Sequence, residues 1–221
     1  MKKVLVLLLM AAIPAFSQVS RKPGEFRHLS AFDQINVELI AADEERVEIM
    51  GNSTGDVEVV NKNGELKLRM KINRILDGEG IEVKVYFIEL HSIQASEGSF
   101  VGCATPFRQS NLSLTAREGG NIRVQMEVGE AEVRAVTGGI LDLKGTVDEL
   151  EVKIGTGGEV NAQDLVSRRA EVDINAGGQA KIHATAYVDA EVKAGGDVII
   201  YGKPAKIDQK TTLGGNITEA R

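Results

Sequence analysis

Gly138-Gly139-Ile140-Leu141-Asp142-Leu143-Lys144-Gly145-Thr146-Val147-Asp148-Glu149-Leu150-Glu151-Val152-Lys153-Ile154-Gly155-Thr156 runs directly into a second glycine pair, Gly157-Gly158, after which the pattern starts again. Six such pairs begin at Gly119, Gly138, Gly157, Gly177, Gly195 and Gly214, at spacings of 19, 19, 20, 18 and 19 residues. A constant period of this size marks a solenoid, and residues one period apart become neighbours in space.

After each pair, the second and fourth places are apolar: Ile122 and Val124, Leu141 and Leu143, Val160 and Ala162, Ala180 and Ile182, Val198 and Ile200. Seven, five and three places before each pair stand a second apolar set, such as Leu150-Val152-Ile154 and Ala170-Val172-Ile174. Period-two alternation is the mark of a strand with one face buried. Each coil therefore holds two short strands with Gly-Gly at one corner, where glycine accepts positive φ. The other corner varies in length, most of all over residues 163–169. Parallel crossovers are right-handed as a rule. The expectation is an all-β, right-handed parallel β-solenoid of about 19 residues per coil in the C-terminal half.

Residues 26–95 are β-rich without the short period. Ile35-Val37-Leu39, Leu66-Leu68 and Ile81-Val83-Val85 alternate, and Asn63-Gly64 is a hairpin turn signal. Longer, irregular coils that continue the same sheets and cover the first regular coil are expected here. Residues 72–80 read as a charged, glycine-bearing loop. Residues 18–95 and 96–221 then form one continuous domain.

Residues 1–17 read as a signal peptide: Lys2 and Lys3, an apolar run Val4–Ile13, and Ala15-Phe16-Ser17 before Gln18. The run is too short to span a bilayer, and no other span approaches that length. Without Lys2 and Lys3 the 26 basic residues fall to 24 against 32 acidic, a formal net charge of −8. That balance excludes a nucleic-acid partner, which needs clustered positive charge. The single cysteine, Cys103, has no partner for an internal disulfide and reads as a small buried apolar residue.

Phe32-Asp33-Gln34-Ile35-Asn36-Val37, Asn63-Gly64-Glu65-Leu66-Lys67-Leu68, the Ile81–Phe87 strand and Leu90-His91-Ser92-Ile93 resemble the autotransporter-adhesin "head GIN" family. The ending Tyr201-Gly202-Lys203-Pro204 followed by Gly214-Gly215-Asn216-Ile217 resembles its last coil. The resemblance runs from about residue 26 onward and implies an exported bacterial β-helix with an adhesin role and no catalytic residues to carry over. The corners depart from the family's Gly-Ser-Gly, showing Gly-Gly instead.

The alignment of coils offers two candidate sites. Six places before the pairs stand Ser113, Glu132, Glu151, Glu171, Asp189 and Asp208, and four places before stand Thr115, Arg134, Lys153, Asp173, Glu191 and Lys210. Arg134 and Lys153 offset their own strands' acids. Glu171, Asp173, Asp189 and Glu191 have no such partner in their strands and compose a candidate weak Ca²⁺ site, since calcium takes carboxylate oxygens in flexible geometry. The alternative is a solvated acidic face. On the other sheet, Gln125, Lys144, Gln163, His183 and Tyr201 line up, with His183 and Tyr201 a candidate glycan contact. No catalytic triad, nucleotide fingerprint or required cofactor is found.

The function expected is a non-enzymatic, exported β-solenoid that binds a glycan or surface protein. It would reside in the periplasm, on the outer surface or outside the cell. A carbohydrate-active enzyme on the same fold and an envelope structural or signalling-associated protein are the alternatives. The last coil invites either a monomer capped by residues 201–210 or a weak end-to-end homodimer.

Overall fold

The computed structural model describes residues 18–220, so the signal-peptide reading of 1–17 lies outside the described residues. The first nine strands are short: β1 Gln18–Arg21, β2 His28–Ala31, β3 Asn36–Ala41, β4 Arg46–Met50, β5 Val57–Lys62, β6 Glu65–Met70, β7 Glu82–Phe87, β8 Ser92–Ala95 and β9 Phe100–Cys103. Longer strands follow: β10 Phe107–Arg117, β11 Asn121–Val136, β12 Ile140–Ile154, β13 Glu159–Ile174 and β14 Gln179–Val192. The chain closes on β15 Asp197–Tyr201, β16 Lys206–Thr211 and β17 Asn216–Glu219. No α-helix occurs among the described residues, so no helix there is long and apolar enough to cross a membrane.

The fold is the expected β-solenoid. Each regular coil is one long strand that bends midway, so its first half belongs to one sheet and its second half to the other. Val133 pairs with Val152 and Val152 with Val172, all three buried. Ile122 and Leu141, then Leu141 and Val160, stack likewise on the opposite sheet. The alternating apolar residues meet between the two sheets as one continuous core of Val, Ile, Leu and Ala, with Phe26, Phe87 and Phe107 at its N-terminal end. The variable corner holds the irregularities: register shifts fall between Asp142 and Lys144 and between Ala162 and Val166, where extra residues bulge out.

The N-terminal half continues both sheets, but by a different route from the longer coils expected. Along the sheet that precedes the glycine corners the order is β5-β6-β2-β8-β10. Along the sheet that follows them it is β1-β4-β7-β3-β9-β11. The β2–β3 coil is thus inserted between the β6–β7 and β8–β9 coils, out of sequence order. Two antiparallel strands make this possible: β5 turns into β6 through Asn63 and Gly64, both at positive φ, and β4 runs against β7. The β8–β9 coil covers the first regular one and turns at Glu97-Gly98, with φ of 54° and 73°. Ser99 stands there in place of a second glycine, buried, its hydroxyl donating to the Ala31 carbonyl at 2.9 Å.

Candidate functional site

Because side chains alternate across a strand, every second residue of each coil faces water, and parallel register stacks these into columns. On the pre-glycine sheet one column reads His28, Ser92, Ser113, Glu132, Glu151, Glu171, Asp189, Asp208. Its neighbour reads Ser30, Gln94, Thr115, Arg134, Lys153, Asp173, Glu191, Lys210. Beyond β2 the columns continue to Glu65 and Lys67 of β6, so an uncharged hydroxyl-and-amide stretch lies between that ion pair and the charged ladder.

The ladder stacks as the repeat predicts, and two of the four acids without a basic partner in their own strands meet lysines from outside them. Lys193, in the turn after β14, places Nζ 3.3 Å from Asp173, and Lys210 on the next rung places Nζ 2.7 Å from Glu191. The Lys210 ammonium holds the Glu191 carboxyl below the usual range, and Lys206 together with Tyr187 does the same for Asp208. Lys153 sits on Glu151 and Arg134 on Glu132, as expected. The calcium expectation thus rests on Glu171 and Asp189, on adjacent rungs. Among the described residues no group of three or more His, Cys, Asp or Glu is arranged to hold a metal ion.

Beside that uncharged stretch the structure joins two histidines that sequence distance kept apart. β2 threads beside β8, so the His28 and His91 rings meet edge to face at 6.2 Å. His28 Nδ1 lies 2.8 Å from Ser92 Oγ, and His91 Nε2 lies 3.2 Å from Glu89. Two shallow polar concavities flank them. One of about 360 Å³ is lined by His91, Gln109, Asn111 and Glu132, and one of about 490 Å³ by His28, Lys67, Gln94 and Thr115.

The post-glycine sheet carries two outward columns: Asn36, Phe100, Asn121, Ile140, Glu159, and Lys84, Glu38, Gly102, Arg123, Asp142, Asn161. Phe100, Gly102, Glu38, Arg123 and Gln125 line a concavity of about 390 Å³. The column expected from Gln125 to Tyr201 is broken. The bulge displaces Gln163, Lys144 pairs with Asp164 instead, at 3.3 Å, and His183 stacks on Val166. His183 and Tyr201 do pair across adjacent rungs, and His183 Nδ1 lies 3.2 Å from the Gln163 carbonyl. Cys103 is buried beneath this sheet, and burial pushes its thiol pKa up, the state of an inert side chain.

The loop expected over residues 72–80 is present, and it carries exposed aliphatic residues that its reading as a charged loop left out. Ile72, Ile75 and Leu76 project into solvent, Ile72 at 88% exposure. The buried Asp33 carboxylate accepts the Met70 and Leu76 amides, each at 2.9 Å, and holds Leu76 at φ 62°. Three aliphatic residues among charged ones in a loop give no periodic signal to read.

No curated protein matches the chain. Among solved structures, the crystal structure of a "putative adhesin" from Bacteroides fragilis NCTC 9343 superposes with a TM-score of 0.86 at 19% identity, covering 94% of this chain and 98% of the other. A "putative lipid binding protein" from Parabacteroides distasonis ATCC 8503 has a TM-score of 0.74 at 15% identity, covering 93% and 97%. A "putative adhesin" from Parabacteroides merdae ATCC 43184 has a TM-score of 0.73 at 17% identity, covering 93% and 96%. At such identities these likenesses carry the fold. The family model described as "Putative auto-transporter adhesin, head GIN domain" matches residues 25–204, and the chain belongs to that family.

Proposed function

We propose that this chain is an exported, non-enzymatic binding protein of the bacterial envelope, an adhesin that presents its flat outward columns to a glycan or protein on a surface. The observation that carries this reading is the periodic stacking of outward residues into long columns on both sheets, within an adhesin family. Such a surface offers repeated hydrogen-bonding groups about 4.8 Å apart, suited to an extended partner. A depolymerising enzyme needs carboxylates converging across a bound sugar. Here Glu132 and Glu151 lie in one flat column, beside Arg134 and Lys153.

Passing soluble envelope and mucin-type polysaccharide fractions over immobilised residues 18–221 tests both halves of the reading. Saturable retention without new reducing ends is expected. Chain cleavage by the protein would replace the adhesin with an enzyme.

A second reading, a lipid-facing protein, draws on Ile72, Ile75 and Leu76 and on the name of the Parabacteroides distasonis relative. Flotation with phosphatidylcholine or phosphatidylglycerol vesicles decides it. Co-flotation that Ile72→Ser with Ile75→Ser abolishes would favour it over the adhesin.

A further inference from the structure

The second outward column of the post-glycine sheet alternates in charge, with one interruption. Lys84 lies 3.4 Å from Glu38, and Arg123 lies 3.3 Å from Asp142, but between Glu38 and Arg123 the column holds Gly102. The missing side chain leaves Glu38 and Arg123 two rungs apart, about 9.6 Å. Phe100 uses that space. Its Cε1 and Cζ lie 2.9 and 3.1 Å from where a Gly102 Cβ would stand, so the ring folds along its own strand and covers the glycine. The result is a half-buried aromatic shelf with a carboxylate on one side and a guanidinium on the other. The Arg123 Cζ is 5.8 Å from the ring centroid.

We propose that this shelf binds one neutral pyranose unit of a surface polysaccharide. The proposal rests on the binding-protein reading and names its ligand class. A sugar ring has an apolar C–H face that packs on an aromatic ring, and hydroxyls that both donate and accept. Hydroxyls on one edge donate to Glu38, and those on the other accept from Arg123. Small-molecule sites combine an apolar or aromatic lining with a few polar groups placed to fix orientation, and this shelf has both. Neither Glu38 nor Arg123 loses its existing partner, since each has lone pairs or N–H groups to spare. Neighbouring units of the polymer would run across the rungs, over Asn36 on one side and Gln125 on the other.

The test titrates residues 18–221 with tetrasaccharides of β-glucan, galactan, mannan and chitin, read by amide shifts in NMR. Expected is saturable binding of at least one, with shifts centred on Phe100, Gly102 and Arg123. Phe100→Ala should weaken it about tenfold, the size of a lost aromatic contact. Gly102→Leu should block the shelf. Arg123→Gln, on an exposed side chain, keeps the fold and should weaken binding without changing the melting temperature. A tetrasaccharide that binds all three variants as well as the parent overturns the shelf and leaves the binding-protein reading intact. Absence of binding by every tetrasaccharide also overturns the shelf, while the polysaccharide retention assay judges the wider reading independently.

Discussion

Gly138 and Gly139 look alike in sequence and do different work. Gly138 sits at φ 73° with open space where a side chain would project. Gly139 has no such φ, but a Cβ there would overlap the Ala116 carbonyl of the preceding coil. The first glycine supplies a left-handed turn and the second lets one corner lie on another. Gly138→Ala should therefore cost about 1–2 kcal/mol, the left-handed penalty of an L-residue. Gly139→Ala should cost more, because the atom in its way is backbone. Equal losses in urea unfolding would contradict this division. Asp33 gives a second test at this scale. Asp33→Ala strips the buried Met70 amide of its acceptor, a loss of about 1–3 kcal/mol. Amide exchange at Leu76 should accelerate in the same variant. Unchanged exchange there would show that the carboxylate does not hold the loop.

At the scale of strands, stability lies in stacked apolar rungs. Val152 is wholly buried between Val133 and Val172, so Val152→Asp places an unpaired charge in the core and should abolish cooperative melting. Retention of a parental melting curve would disprove the register. The charged ladder acts differently. Hydrogen bonds from Arg108, Lys210 and Lys206 hold Glu127, Glu191 and Asp208 below their usual pKa. Depressed acids lend stability above their unfolded pKa of about 4 and lose it as pH falls through the folded value. Lys153, Lys206 and Lys210 are raised by their carboxylates, so their share is present below about pH 10.4 and lost on rising through the folded value. Glu97, raised by burial beside Asp33, opposes the acid limb. Melting should thus be flat between about pH 5 and 9, with a modest acid decline that salt makes shallower. Millimolar Ca²⁺ should leave the melting temperature unchanged, since lysines already meet Asp173 and Glu191. A calcium-dependent rise that Asp189→Asn removes would restore the cation site.

For the whole molecule, the glycine period carried the architecture because identical corners force identical coils. Val133, Val152 and Val172 fell in register for that reason, and so did the column from Ser113 to Asp208. The same logic failed at Gln163, where a bulge breaks the one-to-one offset, and at β2–β3, where hairpins reorder the coils. The pairing of His28 with His91 and the gap at Gly102 both depend on that reordering. Neither a period nor a turn signal reports which coil a short strand will join. The ends follow from the stacking too. Among the described residues β16 pairs with β14 and β17 with β15, which leaves each an open edge. Deleting residues 214–221 exposes the edge of β15 and should increase self-association in sedimentation. A truncated chain as monomeric and as stable as the parent would show that the last coil caps nothing.

The most direct test of the account is attachment under flow. Beads coated with residues 18–221 should adhere to surfaces carrying envelope or mucin-type polysaccharide, saturably, and free protein should displace them. Attachment no greater than that of beads coated with the unfolded Val152→Asp chain would contradict the claim that the stacked faces are a binding surface.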